Sequence, residues 1–347
     1  MKLPHSLTPQ ELYHFLVHVA PVRPVCIWGP PGIGKSAIVA KFFDEMSYEH
    51  EAFLGTLIAP EDIIGPPRLT ERNTSIFCPP DRLVRDEAFG LFLDELPQAT
   101  EDVQKAFFQV VHERRLGDHR LPDGSIVIAA GNRVEDVSGS RGLLAALINR
   151  FVHVELRVDA GQWVSWAHEN KLNPMLISFL ERRPNLLHSH PPKTQEPFST
   201  PRSWHLLSDA MNQYPEPTIR DIEILAGGLL SPQHVPLFTA HIKAAGDTGR
   251  LNRILKGEEG WPRDGRDRDV LYDLAGQLAR KLETELPETK SSLTGKQKEE
   301  LHRVKGAIAS LAEISAETCK SMIGEADLTP WFITDLATDL PRIFRSE

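Results

Sequence analysis

The chain has 347 residues, 41% of them hydrophobic and 25% charged, with a formal net charge of −9. That make-up fits a globular protein long enough for about two domains, and it disfavours a whole-protein polyanion binder while leaving room for a local basic groove. Cys26, Cys78 and Cys319 are widely spaced, which suggests neither a disulfide framework nor a zinc site. With no leader-like N-terminus and no apolar run of membrane-spanning length, the expectation is a cytoplasmic protein with no membrane contact.

The first informative element is the apolar run Val25-Cys26-Ile27-Trp28, which reads as a buried strand. It leads into Gly29-Pro30-Pro31-Gly32-Ile33-Gly34-Lys35-Ser36, a complete G-x-x-x-x-G-K-[ST] loop, and Ala37 to Phe43 then has helical character. In that setting backbone N–H groups curl around the β- and γ-phosphates of a nucleoside triphosphate at the positive end of a helix. Lys35 neutralises phosphate oxygens and the Ser36 hydroxyl ligates Mg²⁺.

Four more β-like segments follow with helical intervals: Phe53 to Ile58, Gly90 to Leu93, Ile126 to Ala130 and Phe151 to Leu156. Alternating strands and helices predict an α/β fold with a five-stranded parallel sheet covered on both faces. Two small hairpins are expected as well, one over Arg68 to Cys78 and one over Arg115 to Ser125, turning at Asp123-Gly124. Thr100 is placed to N-cap a helix whose Val103, Phe107, Val110 and Val111 share one face.

The strand Gly90 to Leu93 ends in Asp94 and Glu95, at a spacing from Lys35 that suits adjacent parallel strands. There Asp94 can reach the Mg²⁺ shell and Glu95 can orient or polarise an attacking water. Two acids at a strand end are otherwise ordinary capping residues. Asn132, just beyond the fourth strand, is either a turn residue or an amide that holds water or γ-phosphate in line. Arg150, after a short apolar helix within Gly142 to Phe151, is either a solvated helix end or a cation supplied to a neighbouring subunit's ATP. Arg114, Arg115, His119 and Arg120 make a basic hairpin that suits a pore lining and a solvated helix end equally well.

Beyond Val158 the pattern turns helical, with helices expected over Gly161 to Lys171, Pro174 to Arg182 and Pro201 to Gln213, and a Pro/His-rich loop over His188 to Pro197. Metal binding at His188 and His190 is disfavoured because no carboxylate or thiolate lies nearby in sequence. Trp163, Trp166 and Trp204 read as packing residues. Gly257 to Asp269 is the best linker candidate. Leu271, Leu274, Leu278 and Leu282, then Leu301, Val304, Ile308 and Leu311, form two apolar helical stripes expected to pack together.

In this order, GPPGIGKS, GLFLDEL, Gly131-Asn132-Arg133, Ile148-Asn149-Arg150-Phe151 and Ser199-Thr200-Pro201-Arg202 resemble the AAA+ ATPases, specifically the MoxR-like branch with its dynein-related relatives. The resemblance covers about residues 8–214. It implies a P-loop NTPase core over residues 1–158, an all-helical lid over 159–256 and a helical C-terminal region over 257–347. Carried over by position, Gly29 to Ser36 with Ala37 look like Walker A, and Asp94 and Glu95 like Walker B. Asn132 looks like sensor 1, Arg150 like a trans-acting finger, and Arg202 like sensor 2.

ATP and Mg²⁺ are the implied cofactors and a homo-hexamer the implied assembly. The implied activity is ATP hydrolysis coupled to remodelling of a protein partner. Members of the branch are commonly paired with a protein carrying a von Willebrand A domain; none is visible in this sequence, so the partner is open. A nucleic-acid motor or loader of the same fold is the alternative, and a nucleotide-dependent switch or scaffold a third.

Overall fold

The computed structural model describes residues 3, 5–133, 142–214, 217–246, 250–263, 268–287, 289–290, 295–326, 328–339 and 341. By internal packing the chain divides into two compact units. One comprises Met1–Ala210 with Leu229–Ser231, the other Met211–Gly228 with Pro232–Glu347.

The first unit opens with β1 (Ser6–Leu7), α1 (Pro9–Val19), β2 (Val25–Trp28), α2 (Lys35–Glu45) and β3 (His50–Leu54). Next come α3 (Glu61–Ile64), the hairpin β4 (Pro67–Leu69) and β5 (Ser75–Phe77), β6 (Gly90–Asp94) and α4 (Glu101–Glu113). A second hairpin, β7 (Arg115–Leu116) and β8 (His119–Arg120), precedes β9 (Ile126–Gly131), α5 (Ala145–Ile148) and β10 (Val152–Leu156). Three helices follow, α6 (Ala160–Glu169), α7 (Pro174–Arg182) and α8 (Pro201–Gln213), the last up to Ala210.

Among the described residues the main sheet has six strands in the order β1-β10-β2-β9-β6-β3, parallel at every pairing. The strand beyond the expected five is β1, a two-residue edge strand held by β10. A second correction concerns neighbours: β2 and β6 are not adjacent, because β9 lies between them. All six residues of β9, Ile126 to Gly131, are buried, and its small tail lets the next layer close in. A Cβ on Gly131 would stand 2.4 Å from the Pro97 ring.

Alternation along the strands divides the core between two faces. Val25 and Ile27 of β2 pack with Leu12, Leu16, Val39, Phe42 and Phe43 of α1 and α2. Cys26 and Trp28 face the other way, toward Val103, Phe107 and Val110 of α4. Thr100 Oγ1 accepts from the Val103 N–H at 3.4 Å to start α4, and Arg114 ends it in a left-handed conformation (φ 57°).

Two local expectations shift. The strand expected over Phe53 to Ile58 begins earlier, at His50, and stops at Leu54, because the next amide, Gly55, donates to the Asp94 carbonyl (2.8 Å) and the chain turns. The β7–β8 hairpin turns at Gly117-Asp118, since Leu116 pairs with His119 and Gly117 takes φ 56°. Asp123-Gly124 makes a separate turn, with Ser125 N–H donating to the Pro122 carbonyl at 3.1 Å.

The second unit contains α9 (Ile219–Leu229) up to Gly228, α10 (His234–Gly246), α11 (Arg250–Lys256), α12 (Arg268–Glu285), α13 (Gly295–Ile314), α14 (Ala316–Glu325) and α15 (Pro330–Asp339). Both leucine-rich stripes share one core there, with Phe332 and Leu336 of α15. The described part of the expected linker packs too. Trp261 is buried and donates to the Ala307 carbonyl at 2.9 Å, and Glu259 pairs with Arg250 and Arg253. Residues 264–267 of that stretch lie outside the described residues. No helix among the described residues is long and apolar enough to cross a membrane.

Candidate functional site

The loop between β2 and α2 needs left-handed backbone at Gly32 (φ 76°) and Gly34 (φ 97°), which explains glycine at both positions. Gly34 caps α2 without a side chain, so the amides of the first turn face the loop with no side-chain acceptor. That arrangement suits an anion. A Cβ on Gly32 would meet Thr200 Oγ1 at 2.6 Å. The loop is therefore built to the thickness of a bare backbone beneath the start of α8.

Lys35 is 8% exposed, and its ammonium donates to three oxygens: the Gly29 carbonyl (2.7 Å), the Pro30 carbonyl (2.8 Å) and Asn132 Oδ1 (2.8 Å). Ser36 Oγ donates to Asp94 Oδ2 at 2.6 Å. The other carboxylate oxygen of Asp94 accepts from the Glu95 N–H at 3.0 Å. Lys35, Ser36, Asp94, Glu95 and Asn132 thus come together at the carboxyl ends of three neighbouring strands, β2, β9 and β6. In a parallel sheet this is where ligands gather. Gly29 N–H, donating to the Gly131 carbonyl at 3.3 Å, fastens the loop to the same edge.

Glu95 sits in left-handed backbone (φ 54°, ψ 28°), an uncommon conformation for a residue with a side chain. Two side chains that sequence reasoning missed hold this corner. Thr56 Oγ1 donates to Glu95 Oε2 at 2.9 Å. The Gln98 amide, oriented so that both its polar atoms are matched, donates to the Glu95 carbonyl (3.1 Å) and accepts from the Asn132 N–H (3.0 Å). Arg133 forms an ion pair with Glu155 of β10. Thr56 and Gln98 lie in turns with no distinguishing pattern. Their roles come from chain segments that meet only in the fold.

Arg202 reaches the loop through its backbone, its N–H donating to the Gly32 carbonyl at 3.0 Å, while its side chain is exposed. Thr200 and Ser203 cap each other at the start of α8. Arg150 is not brought to the loop. Its Nη1 donates to the Ala146 carbonyl at 2.8 Å and its guanidinium lies 4.7 Å from the Phe108 ring centroid, on the α4 side. In the basic hairpin, Arg114 is turned inward. Its Nη1 donates to the Ser125 carbonyl (3.3 Å), and burial lowers its pKa below the ordinary guanidinium value.

A family model for the AAA domain of the dynein-related subfamily matches residues 24–151. No curated protein matches the chain. Among solved structures, a mutant form of Thermotoga maritima RuvB is similar at 14% identity and a TM-score of 0.42, covering 88% of this chain and 85% of its own. NtrX from Brucella abortus is similar at 15% identity and a TM-score of 0.39, covering 78% of this chain and 69% of its own. Glycine loop, parallel strand ends and family match coincide on one segment, residues 24–151, and that segment is similar to the AAA domain of the dynein-related subfamily.

Proposed function

We propose that the protein hydrolyses ATP as a homo-hexameric ring and couples that hydrolysis to remodelling or activation of a protein partner, as in the MoxR-like branch. The observation that carries the reading is the meeting of Lys35, Ser36, Asp94, Glu95 and Asn132 at one sheet edge. In this reading the loop amides from Gly32 to Ala37 and the Lys35 ammonium bind the β- and γ-phosphates. Asn132 holds the γ-phosphate or the attacking water in line, and Glu95 orients that water and takes its proton.

Ser36 Oγ and Asp94 Oδ2, 2.6 Å apart, are two hard oxygens of the kind Mg²⁺ prefers, so the residues fit that ion. When bound it supplies neutralising charge to the phosphate oxygens. Arg202 contacts the γ-phosphate from the helical lid. Arg150, directed away from its own loop, serves the nucleotide of a neighbouring subunit, which is why a ring is required.

The net charge of −9 and the inward-turned Arg114 favour a protein partner over nucleic acid. A protein with a von Willebrand A domain is the first partner class to test. Three free cysteines suit a reducing cytoplasm. The test is ATP binding and turnover in two variants. Glu95→Gln should bind ATP about as well as wild type and lose at least about 100-fold in kcat, whereas Lys35→Ala should lose binding itself. Full turnover in Glu95→Gln would overturn the proposal. The Glu95→Gln form held in ATP is also the form with which to capture the partner.

A further inference from the structure

Trp28 ends β2 one residue before the phosphate loop, and its indole N–H lies 2.9 Å from His153 Nδ1. An indole nitrogen only donates, so Nδ1 must accept and the ring proton sits on Nε2. His153 Nε2 in turn lies 2.8 Å from the Ile148 carbonyl, which only accepts. Two unrelated partners therefore specify the same neutral tautomer. Burial, which holds the His153 pKa below the ordinary imidazole value, favours the same neutral form.

The ring bridges two pieces of chain with different duties. On one side is the strand that launches the phosphate loop. On the other is the last residue of α5, a single turn with no side-chain cap at its start. Two residues further on, the Arg150 N–H donates to the Leu147 carbonyl at 2.9 Å, and its guanidinium is held by Ala146 and Phe108. Val152 N–H donates to the Pro24 carbonyl at 2.8 Å, so the chain leaving Arg150 returns directly to the start of β2. Next to this anchor, the His153 side chain ties the end of α5 to the end of β2.

We propose that His153 is a positioning residue: by bridging Trp28 and the Ile148 carbonyl it sets the direction of Arg150, and so links a subunit's own nucleotide loop to the arginine it presents to its neighbour. The inference rests on the trans role proposed above for Arg150. His153 acts through Arg150 and Trp28 and needs no contact with the nucleotide.

The test uses the full chain at concentrations where hydrolysis per subunit no longer rises. His153→Asn keeps an acceptor at the Nδ1 position and removes the donor to Ile148, while Trp28→Phe keeps an aromatic ring and removes the indole donor. For each variant, for Arg150→Ala and for the double variant His153→Asn/Arg150→Ala, kcat and the affinity for a fluorescent ATP analogue are measured. His153→Asn should lower kcat about tenfold with analogue affinity changed less than about twofold, and should lower it no further in the Arg150→Ala background. Trp28→Phe should lower kcat in the same direction, and it carries the test if His153→Asn does not fold.

Wild-type kcat in His153→Asn and Trp28→Phe, or a His153→Asn loss that multiplies with that of Arg150→Ala, would overturn the proposal. Failure of the trans role and failure of the positioning role give different results. If Arg150→Ala itself keeps wild-type kcat, the trans-arginine reading fails and takes this inference with it. If Arg150→Ala is slow while His153→Asn is not, only the positioning role fails.

Discussion

At the scale of single residues, the phosphate loop works by what it lacks. Gly32 combines left-handed backbone (φ 76°) with a neighbour, Thr200 Oγ1, that would stand 2.6 Å from any added Cβ. Gly32→Ala should therefore destabilise the protein by about 1–2 kcal/mol, from the left-handed backbone alone, and weaken ATP binding as the loop shifts off Thr200. Urea unfolding and nucleotide titration read the two effects. His153 gives a pH dependence of known sign. Its pKa is lowered in the fold, so the unfolded chain binds that proton first. The stabilisation is fully present above about pH 6.5 and is lost as pH falls through the folded value. Urea midpoints measured at pH 7.5 and 5.5 should differ more for wild type than for His153→Asn. Lys35, Ser36, Asp94 and Glu95 were legible in the sequence because a contiguous loop and a contiguous strand end announce them. Thr56, Gln98 and the Trp28–His153 pair were not, because the Thr56–Glu95, Gln98–Asn132 and Trp28–His153 bonds join segments far apart in the chain and no local pattern marks Thr56, Gln98 or His153.

At the scale of elements, the strands that read most easily were those buried on both faces. β2 and β9 are continuous apolar runs, and a run of that kind needs no partner to identify it. What the runs do not encode is their lateral order. The insertion of β9 between β2 and β6 depends on how the crossovers pack, and it places Asn132 between the loop and the acidic strand end. The two-residue β1 was illegible for a simpler reason: a strand that short has no periodicity. In the second hairpin both Gly117-Asp118 and Asp123-Gly124 carry turn chemistry, and the pairing of Leu116 with His119 decides between them. α4, whose cap and apolar face were both readable, offers a quantitative check. Thr100→Ala should cost about 0.5–1 kcal/mol by urea denaturation, at the low end for an N-cap because the Thr100 Oγ1 to Val103 N–H bond is 3.4 Å long.

At the scale of the whole molecule, the proposed active site comes in two halves. Loop, acidic strand end and Asn132 meet within one chain, while Arg150 is held against Phe108, away from its own loop. A monomer of that design is incomplete, whereas a ring in which each subunit lends Arg150 to the next is closed and symmetric. The second unit has its own core, around Leu274, Leu278, Ile308 and Phe332, and the sequence pattern foretold its stripes without saying what the unit recognises. Whether each active site is shared between subunits decides most of what is proposed for this protein, and subunit mixing answers it. Hydrolysis is measured for Glu95→Gln protein, for Arg150→Ala protein and for an equal mixture of the two. Each alone should be nearly inactive. The mixture should regain about a quarter of the wild-type rate, because in that share of interfaces an intact Glu95 faces a neighbour's intact Arg150. A mixture no faster than its components, or full activity in an isolated monomer, would mean that the sites are not shared.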